Sequence, residues 1–295
     1  MSDRPRVASE TSPGGGRASA FDLFCRSFTY LWALILIYPI LFIVSLSLRR
    51  REELTEAIFG VVPPHLKWSN YVDAFSLMKR FVVPIPTLMM NSAIVSIGAV
   101  LGALAIAILA AYAFATMEFR GKRILFYILL LGLIVPIPMM LIPEFLTVKA
   151  YGLAGSRLSL VLPYVAFGLP LPILILTAFF KAIPKELFEA AHVDGASHMR
   201  ILVSVVLPVS RPALATCAIL LGLTFWNEFP LALVLIHDPD LTTVPLGLAG
   251  VKGKGFSPWE LIAAVMLITS IPVVAAFTAF QRQFIEGLVQ GSLKG

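Results

Sequence analysis

Ionisable side chains able to do chemistry are sparse in this chain, and two places stand out. The first is ELFEAAHVDGASHMR, residues 186–200, which collects Glu186, Glu189, His192, Asp194 and His198. Carboxylates and imidazoles of this kind hold zinc or run acid–base chemistry when their spacing puts them on one helix face. Here the histidines do not stand at i, i+4 and no His-Glu-x-x-His occurs, so a metalloprotease site is not indicated. A Gly-x-Ser-x-Gly elbow is also lacking. Neither Gly121-Lys122 nor Gly253-Lys254 has the earlier glycine of a phosphate-binding P-loop, so the chain hydrolyses no ATP through one. Cys25 and Cys217 are single residues without paired spacing, which suggests neither a disulfide nor a metal site. The second place is Glu228, alone in the apolar run TFWNEFPLAL. These residues predict a non-catalytic protein without a metal or cofactor of its own.

The elements that carry them are membrane-spanning. The chain is 58% hydrophobic and 14% charged, with a mean hydropathy of +0.89, beyond the range of ordinary soluble domains. Stretches free of Asp, Glu, Lys and Arg cover residues 27–48, 81–117, 124–143, 158–180, 212–227 and 261–281. All but 212–227 reach the roughly 20 residues that cross a bilayer, and that stretch resumes after Glu228 through Ile236. The expectation is an all-α membrane protein of six transmembrane helices. Arg49, Arg50 and Arg51 follow the first run where a cleaved signal peptide would have small residues, so it reads as a retained span. The domains expected are a disordered cytoplasmic tail at 1–22, a first helix at 23–48, an external loop at 49–87, a membrane core at 88–284 and a cytoplasmic tail at 285–295.

Lys and Arg are in modest excess on the side holding both termini, the 120–123 loop and the 181–212 loop, which places that side in the cytoplasm. The main contrary cluster, Arg49 to Arg51, is offset by Glu52, Glu53 and Glu56. The net charge of +6 is therefore mostly a topology signal with some attraction to anionic lipid. No basic stripe with interleaved aromatics points to nucleic acid.

Within 181–212, Pro184 suits a first helical turn, Glu186 and Glu189 favour its N-terminal end, and Gly195 ends it as a C′ residue. A second short helix then runs from about Ser197 to Pro208, so the loop is two helices hinged at Gly195. Leu187, Ala190, Ala191 and Asp194 share one face. The paired alanines form a flat patch beside Glu189, suited to a groove on a second protein. In the fifth span Pro230 can break the helix. Trp226, Asn227 and Glu228 then either border a cavity and cap the break, or merely satisfy local backbone.

Glu189-Ala190-Ala191, Asp194-Gly195-Ala196 and Leu207-Pro208 together resemble the EAA loop of permease subunits of ATP-binding-cassette importers. Leu202 and Val205 stand where that family often has Phe and Ile. The likeness runs from the second span through the last. TFWNEFPLALVLI, RQFIEGLVQGSLKG and SLSLRRREELTEAIFGVVPPHLKWSNYVDAF are similar to segments of the second membrane subunit in maltose-type carbohydrate importers. The resemblance implies a type I importer permease fold in a bacterial inner membrane. It also implies a homologous permease partner, two ATPase subunits that bind ATP and Mg, and an external sugar-binding protein. Glu189, Ala190, Ala191, Asp194, Gly195 and Ala196 would couple to the ATPase, with residues 290–295 as a further contact. The alternatives are a proton- or ion-coupled carrier using Glu228, and a membrane scaffold that only holds partners.

Overall fold

The computed structural model describes residues 20–54, 60–252 and 258–292, with side chains from 21 to 251 and 258 to 281 within those limits. Most of the 1–22 tail, Glu56, Gly253-Lys254 and the end of the 285–295 tail lie outside the described residues. Helices make up the described chain, with no strand among those residues. Helices α1 (Ala20–Ser47), α3 (Ile85–Thr116) and α14 (Trp259–Ser292) contain the stretches long and apolar enough to cross a membrane unbroken.

The remaining expected spans are bent or broken, each at a proline that cannot donate a backbone hydrogen bond. Helices α6 (Leu158–Gly168) and α7 (Pro170–Lys181) form one span bent by 43°. The stretch at 124–143, expected as one helix, divides into α4 (Lys122–Leu131) and α5 (Ile137–Ala150). Pro136 stands extended at the N-cap of α5, with Pro138 in its first turn, so the turns between cannot continue α4. The expected fifth span likewise splits into α11 (Arg211–Trp226) and α12 (Pro230–Leu235).

Helix α3 is the centre of the bundle, packing on α6, α7 and α11. Ala99, Ala103, Ala107 and Ala111 recur every fourth residue along its axis and are completely buried. Their small side chains form a stripe over which neighbouring helices approach closely, the usual device where lipid removes the hydrophobic drive between helices. Gly102 extends the same fit, since a Cβ there would stand 2.8 Å from Val165 of α6.

At the end of α3 remote from the 181–212 loop, buried Asn91 donates to the carbonyls of Asp240 (2.7 Å) and Thr242 (3.1 Å) and accepts from Arg157 Nη2 (2.9 Å). It ties the segment after α12 and the start of α6 to α3. The 49–87 segment is folded onto the same end. Its helix α2 (Ser69–Phe81) buries Ala74, Leu77 and Met78 against Val244 and Val251 of α13 (Val244–Lys252) and Ala264 of α14. Arg49, expected as one of three loop charges, is instead buried, donating to Ser45 Oγ and to the Gly60 carbonyl. Asn70 clamps the adjoining backbone through Ser47 O (2.9 Å) and Arg49 O (2.8 Å).

Gly168 sits where α6 ends against α11. A Cβ there would lie 2.6 Å from Phe225 Cζ and 3.2 Å from Leu221 Cδ2. Phe225 in turn stacks on Tyr164, with ring centroids 5.2 Å apart. Gly168→Ala is expected to displace Phe225 and destabilise the purified chain by about 1–3 kcal/mol, the usual cost of overpacking. Thermal unfolding in detergent micelles measures it, with Gly222→Ala, where a Cβ meets nothing within 4 Å, as the tolerated comparison.

Candidate functional site

The 186–200 stretch folds as α8 (Lys185–Val193) and the short α9 (His198–Ile201), with Pro184 at the N-cap of α8 and not inside its first turn. The termination of α8 is a complete Schellman motif. Gly195 N donates to His192 O and Ala196 N to Ala191 O, both at 3.0 Å, while Asp194 N donates to Ala190 O at 3.1 Å. Gly195 has φ +72°, a left-handed conformation that glycine adopts without steric cost. Space around its Cβ position is open, so backbone conformation alone selects glycine there. Ser197 then caps α9 by accepting from Arg200 N at 3.4 Å.

The expected shared face of α8 divides. Phe188, Ala191 and Ala196 pack on the core built by Phe180, Ile183, Ile201 and Leu202. Glu189, Ala190, Leu187 and Asp194 are turned outward, and Val193 is 88% exposed. Ala191 belongs to the inner face because the motif at Gly195 folds Ala196 back over it. The face of α8 that carries Glu189 and Asp194 thus presents acidic and apolar side chains together, on an inner face packed into the core.

The loop is tied to α3 where Tyr112 Oη and His198 Nδ1 lie 3.1 Å apart. Within the loop, the His192 and His198 rings meet edge to face at 5.4 Å. The two histidines are therefore neighbours although their sequence spacing excludes a shared helix face. After α9, a π-helical turn at Leu202–Val206 and α10 (Leu207–Val209) lead to a 79° bend at Ser210. The loop consequently lies across the direction of α11.

The second cluster separates its members. Asn227 is exposed and donates to Leu223 O at 2.8 Å. Trp226 lines a mostly apolar groove of about 350 Å³ with Ser96 of α3, Gly222 and Leu223 of α11 and Pro272 and Phe280 of α14. Glu228 is 8% exposed and points inward. Its Oε1 accepts from Leu231 N at 2.7 Å, and its Oε2 from Ala232 N at 3.2 Å and from Tyr164 Oη at 2.5 Å. The carboxyl therefore caps the first turn of α12 and anchors it to α6. Helix starts leave N–H groups without intrahelical partners and favour an acceptor. Tyr164 was not singled out by sequence reasoning, because an aromatic residue in an apolar run has the pattern of ordinary core.

Replacing Glu228 by Gln keeps one acceptor oxygen and loses the other, at about 1.5–3 kcal/mol for a charge-assisted bond. Glu228→Gln and Tyr164→Phe are each expected to lower the unfolding temperature in micelles. The double variant should lose less than the sum, because both weaken the same contact; strict additivity would show that the contact contributes nothing.

With this geometry in view, comparison with known proteins is specific. Residues 103–284 match the family described as binding-protein-dependent transport system inner membrane component. The chain is 30% identical to the diacetylchitobiose uptake system permease protein NgcG of Streptomyces coelicolor, over 93% of this chain and 89% of that one. It is 35% identical to the trehalose/maltose transport system permease protein MalG of Thermococcus litoralis, over 90% of this chain and 94% of that one. The fold is shared, at TM-score 0.76 and 23% identity, with a chain in the crystal structure of a bacterial ABC transporter involved in alginate import, covering 92% of this chain and all of the other. The chain belongs to the inner membrane component family of binding-protein-dependent transport systems.

Proposed function

We propose that the chain is one permease subunit of an ATP-driven carbohydrate importer, forming half of a translocation pathway through six spans. The 181–212 loop faces the cytoplasm and couples to a separate ATPase subunit, which binds ATP and Mg. The observation carrying this reading is the α8–α9 loop: an outward face of Glu189, Ala190 and Asp194 beside the Gly195 hinge, on an inner face packed into the core. Such a rigid projection suits a groove in a second protein. Ala190 leaves room for close approach and Glu189 offers a charge to a basic partner. A homologous permease, a second ATPase and an external binding protein complete the complex. The saccharides in the names of NgcG and MalG support a carbohydrate cargo.

In this reading the Trp226 groove borders the pathway and Glu228 holds the break beside it. The carboxyl of Glu228 is engaged by Tyr164 and two backbone N–H groups, which gives it a structural role at the break. No bond is made or broken in the chain. ATP binding and hydrolysis act through a difference in affinity of the loop for two states of the ATPase.

Two substitutions separate backbone geometry from contact. At φ +72° a residue with a Cβ costs on the order of 1 kcal/mol, and a β-branched one more, so Gly195→Val should re-aim α8. Glu189→Lys inverts an exposed charge without touching the core. Both are expected to reduce co-purification of the ATPase and to uncouple its hydrolysis from sugar uptake in proteoliposomes, with membrane insertion retained. Wild-type complex yield and coupled uptake in both variants would remove this loop from the mechanism.

A further inference from the structure

On the side of the bundle that carries the 181–212 loop, a recess of about 730 Å³ lies between the 117–121 turn, the start of α4 and the last turn of α7. We infer that it seats the phosphate of an anionic phospholipid headgroup. Lys122, Arg123 and Lys181 line it against a single carboxylate, Glu118. The Lys122 ammonium is held in place by Met117 O at 2.7 Å and Glu118 Oε1 at 2.9 Å, and an ammonium has a third donor to offer. That hydrogen bond keeps the Glu118 carboxyl below the usual carboxylate range, and Lys181 adds to the effect. Glu118 is itself 92% exposed, so it neutralises only part of the recess. Arg123 lies 5.8 Å from the centre of the Tyr127 ring, which fixes the guanidinium near the interface.

The surroundings of the recess fit a lipid better than a soluble anion. Helix α3 ends at Thr116 and α4 begins at Lys122, which sets the recess where the apolar spans begin. Helix α4 has no buried residue, and Ile124, Ile128 and Leu131 form an exposed apolar row leading away from the cations. An acyl chain can lie along that row while its phosphate meets the ammonium and guanidinium groups, the arrangement expected of basic pockets at a membrane surface. Gly121 lines the recess at φ +81°, a left-handed turn that leads the chain into α4. The orientation proposed above decides only which leaflet supplies the lipid.

The test is binding by the full chain in neutral maltoside micelles, where orientation has no bearing. Retention of phosphatidylglycerol and of phosphatidylcholine with the same acyl chains is read by native mass spectrometry. Phosphatidylglycerol is expected to be retained preferentially. Lys181→Gln and Arg123→Gln, both at exposed positions, should each weaken it by ~5-fold, whereas Arg50→Gln in the 49–87 segment should leave it unchanged. Equal retention of the two lipids, or an equal loss in Arg50→Gln, would overturn the assignment. Competition by free glycerol phosphate as strong as by the lipid would replace it with a soluble-anion site. Displacement of the lipid by the co-purified ATPase, with loss of complex in the two pocket variants, would mark the recess as a protein contact instead.

Discussion

A helix that breaks inside a bilayer leaves backbone N–H and C=O groups with no water to receive them, and each must find a partner within the protein. This chain breaks its helices repeatedly, at Pro136, Pro170 and Pro230, and the bundle is arranged around that demand. The break before α12 is met by the Glu228 carboxyl, which takes two N–H groups and the Tyr164 hydroxyl. Tyr164 reaches it because Phe225 stacks on its ring, and Phe225 fits because residue 168 has no side chain. One polar contact thus depends on a glycine in one helix and an aromatic pair between two. The alanine stripe of α3 supplies the remaining condition, a central helix thin enough for α6, α7 and α11 to meet around it.

Such a core has a mechanical consequence. Small residues and satisfied breaks make discrete, close-packed contacts, which transmit displacement instead of absorbing it. The 181–212 loop is joined to this core by the inner face of α8, by the Tyr112–His198 contact and by the bend at Ser210. A force on the outer face of α8 therefore reaches α3 and α11 directly. In the proposed function this is the route by which closure of an ATPase changes the access of the Trp226 groove, with α11 lining both the route and the groove.

Much of this was legible in the sequence, for physical reasons that differ by residue. Gly195 stood out because a glycine after an acidic, alanine-bearing helix marks a C′ position, and the left-handed backbone there follows. Pro230 marked where the fifth span would break, whereas the bend at Pro170 and the division of 124–143 into α4 and α5 lay concealed in continuous apolar runs. What the sequence did not reveal were partners distant in the chain. The role of Glu228 depends on Tyr164, and that of Asn91 on Arg157 and on the carbonyls of Asp240 and Thr242. Neither pairing leaves a periodic trace. Arg49 was misplaced for a related reason: charge counting assumes solvent, whereas burial here follows from hydrogen bonds to Ser45 and Gly60. His192 and His198 came together because the Schellman turn reverses the chain between them, a contact that spacing rules for one helix do not reach.

The central claim is that energy enters at the loop and that Glu228 serves as the cap of the break before α12. It is tested most directly by sugar uptake into proteoliposomes holding the complete complex, with ATP and a proton gradient varied independently, in the wild-type and Glu228→Gln chains. The account predicts uptake that requires ATP, ignores the proton gradient, and remains ATP-coupled in the variant at a reduced rate. Uptake driven by the gradient without ATP, and abolished by Glu228→Gln, would contradict it.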